Sequence, residues 1–203
     1  MKKSVFALVA LSLLVHACKK DKHDDLEFEI DSNKSVALWT GSTSQTSNNG
    51  SFAVNSTRLR IRNDQVIGGD FVIPIVSINN FNLPPQTKDL LLDHLKSADF
   101  FNMVVHPNAS FELKSVKRYI GNGENAVSGA NKFISGEFAM IGKTLPLSFP
   151  ARIEFKNDSL YVEATFKIDR TNWGMNYASD PALGEHYINK FVDIHLKVAA
   201  ARK

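Results

Sequence analysis

The sequence predicts an all-β domain, an antiparallel sheet either closed into a barrel or folded as a sandwich. Segment after segment alternates apolar and polar side chains with a period of two. Short Asn-, Asp- and Gly-containing turn signals separate these segments, and only one stretch carries helical spacing.

Ahead of the domain stands a segment of another kind. Lys2 and Lys3 precede an apolar run from Val5 to Val15, closed by Val15-His16-Ala17-Cys18. Basic start, apolar stretch and small residue at the cut form a secretory signal peptide, here residues 1–17. A cysteine directly after the small residue makes it a bacterial lipoprotein signal, so Cys18 is the expected lipidation site. The apolar run is well short of the ~20 residues that span a bilayer. The mature protein is therefore expected to be exported and lipid-anchored to a bacterial membrane, on the periplasmic or the cell-surface side. Residues 18–29, with Lys19, Lys20, Asp21, Lys22, Asp24, Asp25, Glu27 and Glu29, read as a charged tether too polar to bury a core.

Removal of residues 1–17 leaves 186 of the 203 residues, enough for one domain, expected over 30–200. Lys2 and Lys3 leave with the signal, so 22 basic side chains face 21 acidic ones, a balance that argues against nucleic acid as partner. Cys18 is the only cysteine, which rules out an internal disulfide and a cysteine metal cluster. Fourteen phenylalanines point to an unusually apolar interior.

The strands follow in order. Ala37, Trp39 and Gly41 alternate with Val36, Leu38 and Thr40. Leu59 and Ile61 alternate with Arg58, Arg60 and Arg62. Phe71, Ile73 and Ile75 share a face, although periodicity leaves open which face of 71–78 points inward. Phe111 with Leu113, Ile134 to Met140, Leu145 to Phe149, Leu160 to Ile168 and Val192 to Val198 continue the pattern. Turns are expected at Asn48-Asn49-Gly50, Asn63-Asp64, Gly121-Asn122-Gly123, Gly142-Lys143 and Asn157-Asp158. The exception is a short helix near residues 88–96, capped by Thr87, with Leu90, Leu91, Leu92 and Leu95 at helical spacing and Pro84-Pro85 blocking an earlier start.

Around this helix the chain resembles a known family. Asp93 to Phe101 (DHLKSADFF), followed by His106-Pro107-Asn108-Ala109-Ser110-Phe111, is similar to a YceI-like pattern of a helix ending His-Leu-basic-Ser-x-Asp-Phe-Phe and then Tyr-Pro-x-x-x-Phe. His106 stands where the tyrosine is usual. Ile134 to Leu147 resembles the family's Gly-x-Thr-x-Pro hairpin, Phe166 to Gly174 its Ile-Asp-Arg-Ser-x-aromatic-Gly turn, and Ser35 to Trp39 its first strand. Gly41-Ser42-Thr43 departs from the frequent Lys-His-Leu, as does the segment after Ser77. The resemblance implies a lipocalin-like antiparallel barrel of about eight strands that binds polyisoprenoids or related lipids without catalysis.

Parity alone is satisfied by a solid core; the resemblance implies a cavity. With strand parity it assigns the lining to Trp39, Phe71, Ile73, Phe100, Phe101, Phe111, Leu113, Phe138, Met140 and Phe166, with Trp173 near the rim. Phe100 and Phe101 can both face inward only if their turn is irregular. The expected ligand is a polyprenyl chain or quinone tail, with an amphipathic fatty amide second. No cofactor is expected, and a homodimer is compatible with the sequence. His94, His106 and His186, with Asp99 and Asp169, are the candidates for metal or catalytic chemistry. His94 reads as tying the helix to nearby backbone, Asp99 as accepting local N–H groups, and Asp169-Arg170 as an ion pair or turn anchor. Two competing readings remain: an enzyme at the rim, which needs two of these histidines to converge, and an adhesion lipoprotein with a solid barrel.

Overall fold

Eight antiparallel strand lines pair in chain order, and the last closes on the first. The computed structural model describes residues 25–121 and 126–203. The signal segment, Cys18, the tether up to Asp24, and Asn122 and Gly123 of one expected turn lie outside these residues. Leu26–Ile30 (β1) and Val36–Ser42 (β2) are halves of one line, since both pair with the last strand, Phe191–Arg202 (β11): Phe28 lies opposite Arg202, and Ala37 opposite Leu196. Ser47–Ala53 (β3) and Asn55–Arg62 (β4) form the second line, broken at Val54. Gln65–Pro74 (β5) is extended past a 3-10 turn, Ile75–Ser77, by the two-residue strand Asn79–Asn80 (β6). After the helix Pro85–Lys96 (α1) come Asn108–Arg118 (β7), Lys132–Met140 (β8), Lys143–Lys156 (β9), Ser159–Asp169 (β10) and β11. β1 pairs with β4 on one side and β11 on the other, so the cycle has no free edge.

Several expectations need correction. The barrel starts at Leu26, inside the stretch assigned to the tether. Glu27 and Glu29 face solvent while Phe28 is buried in the core, so Leu-Glu-Phe-Glu-Ile is a strand whose outer face is acidic. Asn48-Asn49-Gly50 is no turn but the middle of β3. A Cβ on Gly50 would come within 1.8 Å of the Asn79 carbonyl and 2.9 Å of the Trp39 ring, so glycine here permits close packing. The real turn is Thr43–Thr46, where the Thr43 N–H donates to the Thr46 carbonyl at 2.8 Å. The helix starts at Pro85, not after it, because a proline at the first helical position lacks only an N–H that would have no partner. Thr87 does not cap it; its hydroxyl donates back to the Pro84 carbonyl at 3.1 Å.

The two ends of the barrel are unlike. One carries tight hairpins, Asn63-Asp64 with φ of 50° and 53° and Asn157 with φ of 53°, and there Leu26 lies opposite Ile61. Phe28, Leu59, Ile61, Phe149, Ile153 and Leu160 pack together toward this end. The other end carries the Thr43–Thr46 turn, α1 with its flanking segments 75–107, and the 170–190 connection. Trp39, Phe52, Ile78, Leu92, Phe100 and Met175 pack there.

Candidate functional site

From the second end a cavity of about 300 Å³ runs into the barrel, at the lower edge of ordinary ligand cavities (~300–1,000 Å³). Its wall follows β10 from Leu160 to Arg170. At ~3.3 Å per residue and a strand tilt of ~35–45°, that is roughly 25 Å of depth along the axis. So small a volume drawn out over that depth is a narrow slot.

Strand parity builds the wall. Phe111 on β7 faces Phe71 at 6.4 Å between ring centroids and Phe149 at 5.9 Å. Phe149 on β9 stacks on Phe166 of β10 at 4.2 Å with planes 11° apart. Phe71 and Ile73 point inward, and the 3-10 turn after Pro74 keeps Ile75 and Ile78 inside while leaving Val76 67% exposed. That settles which face of 71–78 is interior.

Ten of the eleven residues assigned from the sequence lie on the cavity wall: Trp39, Phe71, Ile73, Phe100, Phe101, Phe111, Leu113, Phe138, Met140 and Phe166. Phe100 and Phe101 both line it because the turn is irregular: the Phe101 N–H reaches back to the Leu95 carbonyl at 3.0 Å, and Asn102 takes a φ of 45°. Trp173 is not on the wall. Its indole N–H donates to the Phe138 carbonyl at 3.1 Å and its ring meets Phe138 edge-on, held off the cavity by the 3-10 turn Arg170–Trp173. Sequence reasoning missed Phe52, Phe149, Ile194 and Leu196. Phe149, Ile194 and Leu196 were marked by the same alternation; Phe52 lay hidden because its strand read as a turn.

Polar groups gather only at the mouth. Ser42, Thr43, Thr46, Asn48, Asn189 and Arg170 are the hydrophilic side chains of the lining. The Asn189 N–H donates to the Ser42 carbonyl at 2.8 Å, and Asn48 lies opposite Gly41, which places three uncharged side chains together. Arg170 is 3% exposed. Its guanidinium donates to the carbonyls of Met175 (2.6 Å), Ile188 (2.9 Å), Tyr177 (3.0 Å) and Asn189 (3.2 Å), and stands 5.9 Å over the Phe100 ring. It is thus a turn anchor that bonds backbone, not the partner of Asp169. Burial pushes the Asp169 carboxyl upward, but bonds from Thr171 and Lys190 outweigh that and leave it below its ordinary value.

The other polar candidates are dispersed. His94 Nε2 shares a 2.9 Å hydrogen bond with Asp99 Oδ2, and its ring lies edge-on to Phe100 and Tyr177, so it ties the helix to a side chain and not to backbone. Asp99 spends its carboxylate on His94 instead of on local N–H groups. His106 sits against the β8–β9 turn: a Cβ on Gly142 would stand 3.0 Å from its ring. His186 ends the 3-10 segment Pro181–His186. Among the described residues no three His, Cys, Asp or Glu side chains come together as a metal site would require. On the outer wall His195 bonds Glu163 at 2.8 Å and Arg152 also pairs with it; the histidine bond chiefly, then Arg152, holds that carboxyl below its ordinary value.

Comparisons bear on this cavity. The structure is similar to Burkholderia cenocepacia BcnA (TM-score 0.63, 14% identity, covering 84% of this chain and 99% of that one). It is similar, too, to a polyisoprenoid binding domain from Saccharophagus degradans implicated in plant cell wall breakdown (TM-score 0.63, 10% identity, 88% and 99%). A third similar structure is the Campylobacter jejuni YceI protein (TM-score 0.51, 15% identity, 100% and 99%). At these identities the likeness is one of fold. No curated protein matches the chain by sequence. The model of the YceI-like domain matches residues 22–200, and the chain belongs to the YceI-like family.

Proposed function

We propose that this protein binds the tail of a polyisoprenoid-type lipid, a polyprenyl chain or a quinone, and carries or sequesters it without chemistry. The observation that carries the reading is the shape and lining of the slot: roughly 25 Å deep, narrow, and apolar everywhere below its mouth. A linear hydrocarbon chain fits such a space. Two or three isoprene units buried there contribute roughly 8–10 kcal/mol at ~0.8 kcal/mol per CH₂, before the entropy of ordering the chain. The Saccharophagus degradans domain of the same fold, described as polyisoprenoid binding, supports the reading.

Anchoring through an acylated Cys18 is part of the proposal. The chain enters the barrel at Leu26, at the end opposite the mouth. An acyl chain on Cys18 would hold the barrel by its closed end, and seven residues of tether reach at most ~25 Å. The mouth would then face away from the anchoring membrane, as suits a carrier that meets donors or acceptors across a gap.

The test is native mass spectrometry with organic extraction of the purified protein. A bound mass matching a polyprenyl or quinone species is expected, and a clean apo mass from a host rich in both would overturn the reading. Phe111→Asp should abolish uptake while Lys167→Asp, on the outer face beside Asp193, should leave it intact. Gly41→Phe guards against mere misfolding: Gly41 points into the mouth with nothing within 4 Å of a Cβ, so the variant plugs the slot without strain. Uptake by all three variants would refute the assigned cavity.

A further inference from the structure

Resting on that reading, the mouth carries a further specificity. We infer that the cavity selects lipids with a neutral, hydrogen-bonding head group, a hydroxyl or a quinone carbonyl, over the diphosphate esters of the same tails.

The argument starts from the cation. Arg170 is the only charged side chain of the lining, and a guanidinium holds a phosphate best through two parallel N–H groups. That fork is not available. Nε bonds Asn189, both Nη2 hydrogens go to Tyr177 and Ile188, and one Nη1 hydrogen goes to Met175. One N–H remains, enough for a single carbonyl or hydroxyl oxygen. Lys190, next to Asn189 of the mouth, is held by Asp169 at 3.2 Å, and the carboxylate of Glu185 stands on the mouth's hairpin through Gln45.

The rest of the mouth is uncharged. Among the described residues neither the Ser42 hydroxyl nor the Asn48 amide makes an intramolecular side-chain hydrogen bond, and the Asn189 side chain uses only its Oδ1, which accepts from the Phe191 N–H. These groups suit a neutral oxygen. The isolated positive charge of Arg170 does attract an anion. Removing a diphosphate from water nonetheless costs several kcal/mol per charge unless its oxygens are met by well-aligned donors, and at this mouth they are not.

The experiment is a tryptophan-fluorescence titration of the full chain in mild detergent with a matched pair, geranylgeraniol and geranylgeranyl diphosphate. The alcohol should bind at least tenfold more tightly, with little dependence on salt. Asn48→Lys, which adds a free cation at the mouth, should narrow the gap at least threefold by raising diphosphate affinity. Equal or tighter binding of the diphosphate by the unaltered protein would overturn the inference and leave lipid binding standing. Failure of both ligands, together with an apo mass, would remove the proposed function and the inference with it.

Discussion

The two ends of this barrel solve opposite problems with the same strands. At the closed end, two-residue turns at Asn63-Asp64 and Asn157-Asp158 join the strands, and Phe28, Ile61, Ala151 and Ala200 pack the interior around the foot of the slot. At the open end two long connections, 75–107 and 170–190, stand beside the short turns at Thr43–Thr46 and Ile141-Gly142, and side chains of the long ones help to frame a mouth that strand side chains leave unfilled. Stability and binding are thus separated along the barrel axis. The closed end can be packed more tightly because only the foot of the slot reaches it, while the open end needs a rigid loop framework that does not occupy its own centre. Arg170 is that framework, one guanidinium holding four carbonyls of the 175–189 segment.

The largest effect should come from breaking the framework. Arg170→Ala strips donors from four carbonyls, at ~1–3 kcal/mol for each that stays dry, so a loss of roughly 4 kcal/mol or more is expected in denaturant unfolding, with new proteolytic cuts between 175 and 190. Lysine should not rescue it, since three N–H groups on one nitrogen cannot reach four spread acceptors. An unfolding midpoint within error of the parent would show the loop to be held by other contacts.

A truncation pair compares the two interiors directly. Ile61, 1% exposed and off the cavity wall, should lose ~2–5 kcal/mol on mutation to alanine. Ile194 already borders empty space, so Ile194→Ala should cost distinctly less, about 1 kcal/mol, because few contacts are lost on the cavity side. Equal losses at the two sites would mean that the slot is closed in solution.

What the sequence disclosed follows the same division. On β8 and β10, and on β7 as far as the bulge after Leu113, the alternation holds and both neighbours are standard strands, so Phe111, Phe138 and Phe166 could be placed inward by counting in twos. Where function bends the rules, counting failed. Asn48 and Gly50 read as a turn because a mouth strand is polar and its glycine serves packing against Trp39. Glu27 and Glu29 read as tether because charge on an outward face looks the same as charge in a solvated chain. Asp169-Arg170 read as an ion pair or a turn anchor, and only the anchor holds for Arg170; its four carbonyls come from a segment folded back by tertiary structure, which no local spacing announces. Trp173, expected near the rim, stands on the open-end connection, but a 3-10 turn takes its ring out of the strand parity and off the cavity wall.

The smallest effect is the acid limb, and it tests whether the ends respond separately. Asp169 at the mouth and Glu163 on the outer wall both ionise more readily folded than unfolded, the first through Thr171 and Lys190 against its burial, the second through His195 and Arg152. A depressed folded pKa means stabilisation present above the unfolded value, ~4 for such carboxyls, and lost as the pH falls through the folded one. The denaturant midpoint should therefore decline below about pH 4 and be nearly flat from there to neutrality. Asp169→Asn should remove part of that decline together with the salt bridge to Lys190, and protease cuts in 170–190 should appear at neutral pH. Glu163→Gln should remove another part without exposing that segment. If both variants opened the mouth segment alike, the outer wall and the mouth would be one cooperative unit, and the separation of packing from binding along the axis would fail.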